Sequence, residues 1–594
     1  MLETRKIACE FCVVGGGISG LCAAVAAARR GTKTVLMHER PMLGGNASSE
    51  IRMWISGAGA ANMETGIINE IEMENAYRNP TKNYHIWDSI LYDVAKREEN
   101  LTLLLNTACM DAQVEEGDFA HGRSRRIKSI KGYQMTTQRF IEVEADLFAD
   151  CSGDSILAPL TGAEFMRGRE SKDIFGEKTH VEKTDNMTMG MSCLITGRET
   201  HEEVKFIPSE RITKLNDEHF KYRKPDMRAE HENFWYLELG GNRDSIGDTE
   251  ELRDELVSLA LGTWDYIKNS GKYEYCKNYD LGFLGFLPGK RESRRMTGEY
   301  IINSNDILGD ASFDDIIAYG GWPVDDHYPD GFYHNGTPNT DFKTPPCYQI
   351  PYRVLYSKNV DNLYFAGRNI SASHMALSST RVMRTCGLLG QAVGTAASLA
   401  AKYGLCPHDI YQSKLAELQD ALMQDDCFLP GKTRKISDEC KNAVLCGASD
   451  AVRDSIDRVH SKFYDITQCG DMIKNGKGIT YTLNAPAKVE NVHIVFDCNL
   501  DRSQFPGGWC ERTHATRANV YLDMPQFSSP ATLCKSYELC ATYADGTSEV
   551  IACDENNWRR CINATPKKEV SALTLTVKEN WGGTDETAVF SFDF

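Results

Sequence analysis

Residues 13–39 read VVGGGISGLCAAVAAARRGTKTVLMHE, and this stretch restricts the fold more than any other. Ile7 to Val14 is apolar enough for a buried strand, Ser19 to Arg30 reads as a helix rich in small residues, and Lys33 to Met37 reads as a second strand. Gly15, Gly17 and Gly20 form G-x-G-x-x-G at the strand-to-helix turn, and Glu39 closes the second strand about 20 residues further on. The first glycine permits the tight turn, the second lets a pyrophosphate approach the backbone, and the third lets the helix lie close to the strand. The helix N-terminus offers N–H groups and a favourable dipole to phosphate, and an acid in the position of Glu39 accepts hydrogen bonds from a ribose. The glycines therefore predict a βαβ unit that cradles a dinucleotide.

With 594 residues the chain is too long for one core and predicts several domains. A formal net charge of -18 argues against a general nucleic-acid surface, which needs clustered Lys and Arg. The basic clusters are short: HGRSRRIK at 121–128 and GKRESRR at 289–295. No run of about 18 apolar residues predicts a membrane span. Charged residues precede a first strand that already belongs to the glycine motif, so a secretory signal is not expected and the chain reads as cytoplasmic. On that reading the 20 cysteines are thiols rather than disulfides. Cys9 and Cys12 form C-x-x-C within the first strand, where core packing is expected, and no second C-x-x-C completes a zinc site, so no metal is expected.

Residues 1–161 alternate strands and helices, with helices expected over 65–79 and 84–98 and a strand over 101–106. IKSIKGYQMTTQ at 127–138, followed by RFIEVEADLFADCSG at 139–153, reads as a hairpin feeding a buried strand that ends in DCSGD. The alternation breaks over 162–350, which is richer in polar and aromatic residues and reads as an inserted α+β domain; 187–197 is a candidate strand and 250–270 a candidate helix. It resumes over 351–424 with a strand at 362–368 and a long helix at 376–404, in which Gly387, Gly390 and Gly394 share one face, so that another element packs close to its backbone. Residues 425–444 read as a linker. Residues 445–594 contain short alternating strands separated by turn residues, the pattern of an antiparallel β-sandwich of jelly-roll type.

Five motifs in this order (the N-terminal glycines, LGGNAS at 43–48, ADCSGDSILAPLTGA at 149–163, PGKRESRRMTGEYI at 288–301, and NLYFAGRNISASHMALSSTRVMRTCGLLGQAVGTAA at 362–397) resemble the FAD-dependent oxidoreductases of the glutathione-reductase-like, two-dinucleotide-fold superfamily. More narrowly, the chain resembles the bacterial FAD dependent oxidoreductase family, distantly related to fumarate reductase and thiazole synthase. The resemblance covers residues 7–402; the last part of the chain is similar to galactose-binding-like sandwiches. It implies an α/β, Rossmann-like FAD-binding domain interrupted by a substrate domain. It further implies that Gly15, Gly17 and Gly20 hold the pyrophosphate, that Glu39 holds the ribose with Arg40 flanking the adenine, and that Gly44, Gly45 and Asn46 pass near the flavin. Gly153 and Asp154 would form a second FAD segment. Gly367 and Arg368 would lie near the ribityl chain and phosphates, although the family usually has an acid where Arg368 stands. The helix at 376–402 would aim its N-terminus at the flavin pyrimidine, whose reduced form its dipole stabilises.

A flavin cofactor calls for a C–H bond over its reactive nitrogen and a group that moves one proton. His374, Arg381, Arg384 and His327 are the catalytic candidates, with Arg291, Arg294, Arg295, Trp322, Asp325 and Asp326 in neighbouring motifs. Arg381 and Arg384 are three apart and share a helix face. The spacing of His327 and Asp325 also suits a metal. The leading expectation is oxidation of a small hydroxylated substrate, a sugar or glycoside, with His374 taking the O–H proton. Trp509, Trp558 and Trp581 in the sandwich are candidates for stacking on sugar rings. A second expectation is reduction of an activated C=C bond with arginines on a carboxylate. A third is a carbohydrate-binding protein with a structural flavin. The enzyme readings require a separate electron donor or acceptor, because no second glycine fingerprint marks a nicotinamide site.

Overall fold

In the computed structural model, which describes residues 2–178, 181–227, 233–458, 469–506 and 522–594, the first strand β1 (Thr4–Val14) buries only its last four residues, next to the glycine turn. Helix α1 (Ile18–Arg29) follows and is buried along all but its last residue. The chain then returns as β2 (Thr34–Met37), parallel to β1 with Val14 opposite Met37. After helices α2 (Ile67–Arg78) and α3 (Tyr84–Lys96), β3 (Leu101–Leu104) joins β2 in parallel. β4 (Thr107–Glu116) and β5 (Arg125–Gln134) form an antiparallel hairpin, and β6 (Arg139–Asp150) pairs antiparallel with β5 and parallel with β1. With the strand Leu363–Phe365 laid parallel to the end of β6, these seven strands form one sheet in the order β3-β2-β1-β6-β5-β4. Val14 lies opposite Asp150, so the loops that begin at Gly15 and Cys151 leave the sheet side by side. Open parallel sheets bind ligands at this place, outside the carboxyl ends of their strands.

The expected single helix over 376–404 is two helices, His374–Thr380 and Met383–Tyr403. Val382 is extended (φ -68°, ψ 145°). A continuous helix would send the Arg384 N–H to Thr380; here it donates instead to Ser56 O at 3.0 Å. The break is thus decided by a loop far away in sequence. The glycine face behaves as the spacing predicted. A Cβ on Gly390 would stand 2.0 Å from Ser19 O and one on Gly394 2.1 Å from Ala23 O, so the long helix lies backbone-to-backbone on α1.

Residues between 191 and 332 contribute a separate core that includes Leu237, Leu256, Trp264 and Tyr279. It is built from the helix Thr249–Asn269 and short strands. The candidate strand over 187–197 is two pieces, Met191–Ser192 and Ile195–Glu199, which belong to different small sheets. From residue 444 onward, a five-stranded and a four-stranded sheet, whose pairings are all antiparallel, enclose a third core around Leu539, Leu573 and Phe592. Trp558 and Trp581 pack against that core, and Trp581 Nε1 donates to Asn557 O at 2.8 Å; Trp509 lies outside the described residues.

This last part of the chain is tied to the rest by buried cations. Arg458 donates to Met63 O, Tyr319 Oη and Thr65 Oγ1, and Arg502 reaches Glu72 at 3.2 Å. Among the described residues, no helix is long and apolar enough to cross a membrane, and the cysteines are free thiols.

Candidate active site

The two loops at the carboxyl ends of β1 and β6 form the walls of a groove lined by Gly15, Gly17, Ser19, Glu39, Arg40, Gly44, Gly45, Asn46, Gly153, Gly367 and Arg368. Three features make it a cradle for an extended anionic ligand. α1 begins there at Gly17 with no side-chain cap and no acid in its first turn, so its terminal dipole faces the groove uncompensated. Gly15 has φ +103°, and a Cβ on it would stand 2.4 Å from Cys151 O, so only glycine lets the two loops meet. Ser19 Oγ is buried in the lining beside the Cys151 thiol. Gly20 is not in the lining. A Cβ on it would stand 1.8 Å from Gly15 O, so it brings α1 against the turn rather than touching a ligand.

Glu39 follows β2 at the groove's far end. Burial would raise its carboxyl, but the His38 and Arg40 beside it hold it at about 2. Asp154 also stands behind the lining. It accepts from Lys290 (2.8 Å), Ser293 (2.7 Å) and Arg368 (2.5 Å), and these cations keep it ionised against burial. Its part is to hold the Arg368 guanidinium, which does line the groove.

Asn46, Arg368, Arg381 and Met383 are shared between this groove and a second cavity of about 450 Å³. Trp54, Trp235 and Trp322 wall that cavity, and Asp325, His327, Asn339 and Asp341 line it from one hairpin. The hairpin explains the set. Strand Val324–His327 pairs antiparallel with Asn339–Phe342, placing Asp325 opposite Asp341 and His327 opposite Asn339, and alternate residues of a strand share a face. His327 Nδ1 lies 2.6 Å from Glu238 Oε2, and its Nε2 is 3.4 Å from Asp325 Oδ2. Burial works against charge on His327, but Glu238 and Asp325 outweigh it and hold the imidazole above its ordinary value. Two different carboxylates thus engage its two nitrogens. Arg381 donates to Asp325 Oδ2 at 3.2 Å. Three buried N–H donors on the cavity lining, Asn233 Nδ2, Trp322 Nε1 and Arg381 Nε, have no partner among the described residues.

Residues 10–422 match the family model described as FAD dependent oxidoreductase. The chain belongs to that family. This FAD-dependent oxidoreductase has no match among curated proteins. Solved structures similar to it include a geranylgeranyl bacteriochlorophyll reductase-like protein from Thermoplasma acidophilum (11% identity, 71% of this chain and 86% of that one, TM-score 0.31). Others are p-nitrophenol 4-monooxygenase from Pseudomonas putida (11%, 72% and 89%, 0.30) and THI4 from Thermovibrio ammonificans (17%, 28% and 67%, 0.22).

Of the four catalytic candidates in this oxidoreductase, the structure brings His327 and Arg381 to the cavity and sets His374 and Arg384 behind it. His374 meets Asp326, which points away from Asp325 and His327 because it is the odd residue of the strand. Its Nε2 lies 3.0 Å from Asp326 and its Nδ1 3.0 Å from Glu292, and Glu292 also binds the buried Arg295. Burial opposes a charge on His374, but Glu292 and Asp326 prevail and push it up to about 10. Protonation of His374 therefore stabilises the fold fully below its ordinary value of 6.5, and that contribution is lost as pH rises toward about 10. The melting temperature of the wild type is expected to fall across that window. His374→Gln, lacking the charge, is expected to start lower and stay flatter; equal slopes would remove His374 as the cause. Arg384 donates from Nε to Glu72 at 2.8 Å, and Glu72 also takes Arg502 from the C-terminal part. Arg291 lines the cavity, Arg294 donates to Asp154 O, and Arg295 is fully buried.

Sequence reasoning missed Trp54, Asn233, Trp235, Glu238, Asn339, Asp341 and Lys343. The hairpin pairing of DDH with NTD at 339–341 would have found Asn339 and Asp341. The others lie in segments with no periodic signal.

Proposed function

We propose that this enzyme oxidises a hydroxyl group of a small cyclic polyol, a sugar or glycoside, held in the tryptophan-walled cavity. The observation that carries this reading is the junction of cavity and groove, where three indole walls meet a hairpin that presents His327 and Asp325. Flat indole faces suit the apolar face of a sugar ring, and the three unpartnered N–H donors suit its hydroxyl oxygens. In this reading Gly15, Gly17 and the start of α1 hold the FAD pyrophosphate, Glu39 the ribose, and Gly44, Gly45, Asn46, Gly153, Gly367 and Arg368 the remainder. FAD, when bound, supplies hydride acceptance.

The chain's own groups do the rest. Glu238 fixes the ring orientation of His327 through Nδ1, leaving Nε2 toward Asp325 and the cavity. Neutral His327 takes the substrate O–H proton, and Asp325 and Glu238 stabilise the imidazolium that results. Arg381 holds Asp325 in place, and the tryptophans exclude water. Residues 162–350 supply much of the substrate wall. The two C-terminal sheets form a sandwich of galactose-binding-like type, whose Trp558 and Trp581 serve packing rather than sugar stacking.

A second reading, reduction of an activated C=C bond on a carboxylate, draws on Arg291, Lys343 and Arg381 in the same lining. The visible spectrum of the anaerobic enzyme separates the two. Bleaching of oxidised flavin by sugars, glycosides or polyols is the expected result. Reoxidation of chemically reduced flavin by unsaturated carboxylates, with no bleaching by any polyol, would replace it with the second reading.

A further inference from the structure

Outside the linings of the groove and the cavity, three metal-binding side chain types meet that the redox site does not use. His121 lies in the turn between β4 and β5, and Cys406 and Asp409 lie at the start of the helix Pro407–Ser413. His121 Nε2, the Cys406 thiol sulfur and an Asp409 carboxylate oxygen all fall within 4.8 Å of one another. Donors around a tetrahedral zinc ion stand about 3.3–3.7 Å apart, given bond lengths near 2.0–2.3 Å, so small side-chain rotations bring these three onto one ion. At present His121 Nε2 is 2.7 Å from Asp409 Oδ1. Cys406 is buried, while His121 opens to solvent and leaves an entry path.

The surroundings orient the set. The His408 ring lies against the His121 ring, centroids 4.0 Å apart, and His408 Nδ1 is held by Glu299 at 2.6 Å. Asp409 Oδ2 also accepts from the Cys406 N–H at 3.0 Å, which pins the carboxylate beside the thiol. Such neighbours commonly fix the geometry of metal ligands.

We propose that His121, Cys406 and Asp409 bind one divalent transition-metal ion of the zinc class, with water in the fourth position, clipping the β4–β5 turn to the 407–413 helix. Imidazole, thiolate and carboxylate together suit zinc better than calcium or magnesium, which take oxygen ligands. Binding forms three metal–ligand bonds and displaces metal-bound waters and the Cys406 thiol proton, which leaves to solvent; nothing is oxidised or reduced. Because uptake releases the thiol proton, it is expected to weaken as pH falls. The spacing of cysteines in the sequence hides this set, because 288 positions separate His121 from Asp409.

The test is metal binding by the chelator-washed, flavin-loaded enzyme. Equilibrium dialysis with zinc is expected to leave one more ion on the wild type than on Cys406→Ser or His121→Ala. Cobalt is expected to give the wild type visible d–d bands at longer wavelength than flavin absorption, and these bands should vanish in Cys406→Ser. Replacing the exposed Cys446 and Cys553 with Ser should leave the difference intact. Equal zinc content in wild type and both variants, or cobalt bands unchanged by Cys406→Ser, would overturn the proposal. The flavin spectrum of each variant reports that its fold is intact, since none of the three residues lines the groove or the cavity.

Discussion

Replacing His327 with Gln is expected to lower turnover by about 10²–10⁴-fold, the usual contribution of a positioned acid–base group, while FAD stays bound. His327 lines the cavity but not the groove, which explains why cofactor content should survive. The pH profile is the sharper readout. Oxidation of a hydroxyl needs the imidazole neutral, and Glu238 and Asp325 hold His327 protonated above its ordinary value of 6.5. Wild-type turnover in the oxidising direction should therefore rise with pH through an apparent value above 6.5, and the reverse reaction should fall through the same window. His327→Gln should lack that limb. Asp325→Asn removes one of the two charges that favour the imidazolium, so its limb should move to lower pH. A variant that keeps both wild-type turnover and the wild-type limb would show that another group moves the proton. Retained limbs with lost turnover would mean that His327 only shapes the cavity.

Replacing Gly390 with Val should produce a large loss of stability. Even the first side-chain carbon would stand 2.0 Å from Ser19 O, and backbone cannot swing away as a side chain can. The long helix and α1 would have to part. Overpacking of this kind costs about 1–3 kcal/mol or more. The parting also moves Ser19, at the end of α1 that faces the groove, so FAD should be lost along with stability. Urea unfolding and flavin content measure both effects. Gly404→Ala is the control, because that position has φ +65° but nothing within 4 Å, and only a modest backbone penalty is expected. A Gly390→Val protein that keeps its flavin and its unfolding midpoint would mean the two helices do not need their close approach.

These two predictions also divide what could be read from the chain alone. The glycine turn, α1, β2 and Glu39 are consecutive, and each follows from local backbone chemistry, so this wall of the groove was legible, although Gly20 and Asp154 stand behind the lining rather than in it. The stripe of Gly387, Gly390 and Gly394 announced a close helix partner, although it did not say that the partner is α1. The alternation in the last 150 residues announced antiparallel sheets for a similar reason, since strand period is written into neighbouring positions.

The cavity was not legible in the same way. It is assembled from segments near 54, 233–235, 291, 322–327, 339–343 and 381–383, and no local rule links them. Which histidine faces it depends on the parity of one strand: Asp325 and His327 point in, and Asp326 points out to His374. The kink that delivers Arg381 and Met383 exists because Ser56 O takes the Arg384 N–H, a bond between positions that sequence spacing cannot connect. Local backbone preference therefore determined the glycine turn and its flanking elements, and the order of the five motifs carried the resemblance to the family. Long-range packing and hydrogen bonding decided which side chains share the reacting space, because those contacts are made only when distant segments are brought together.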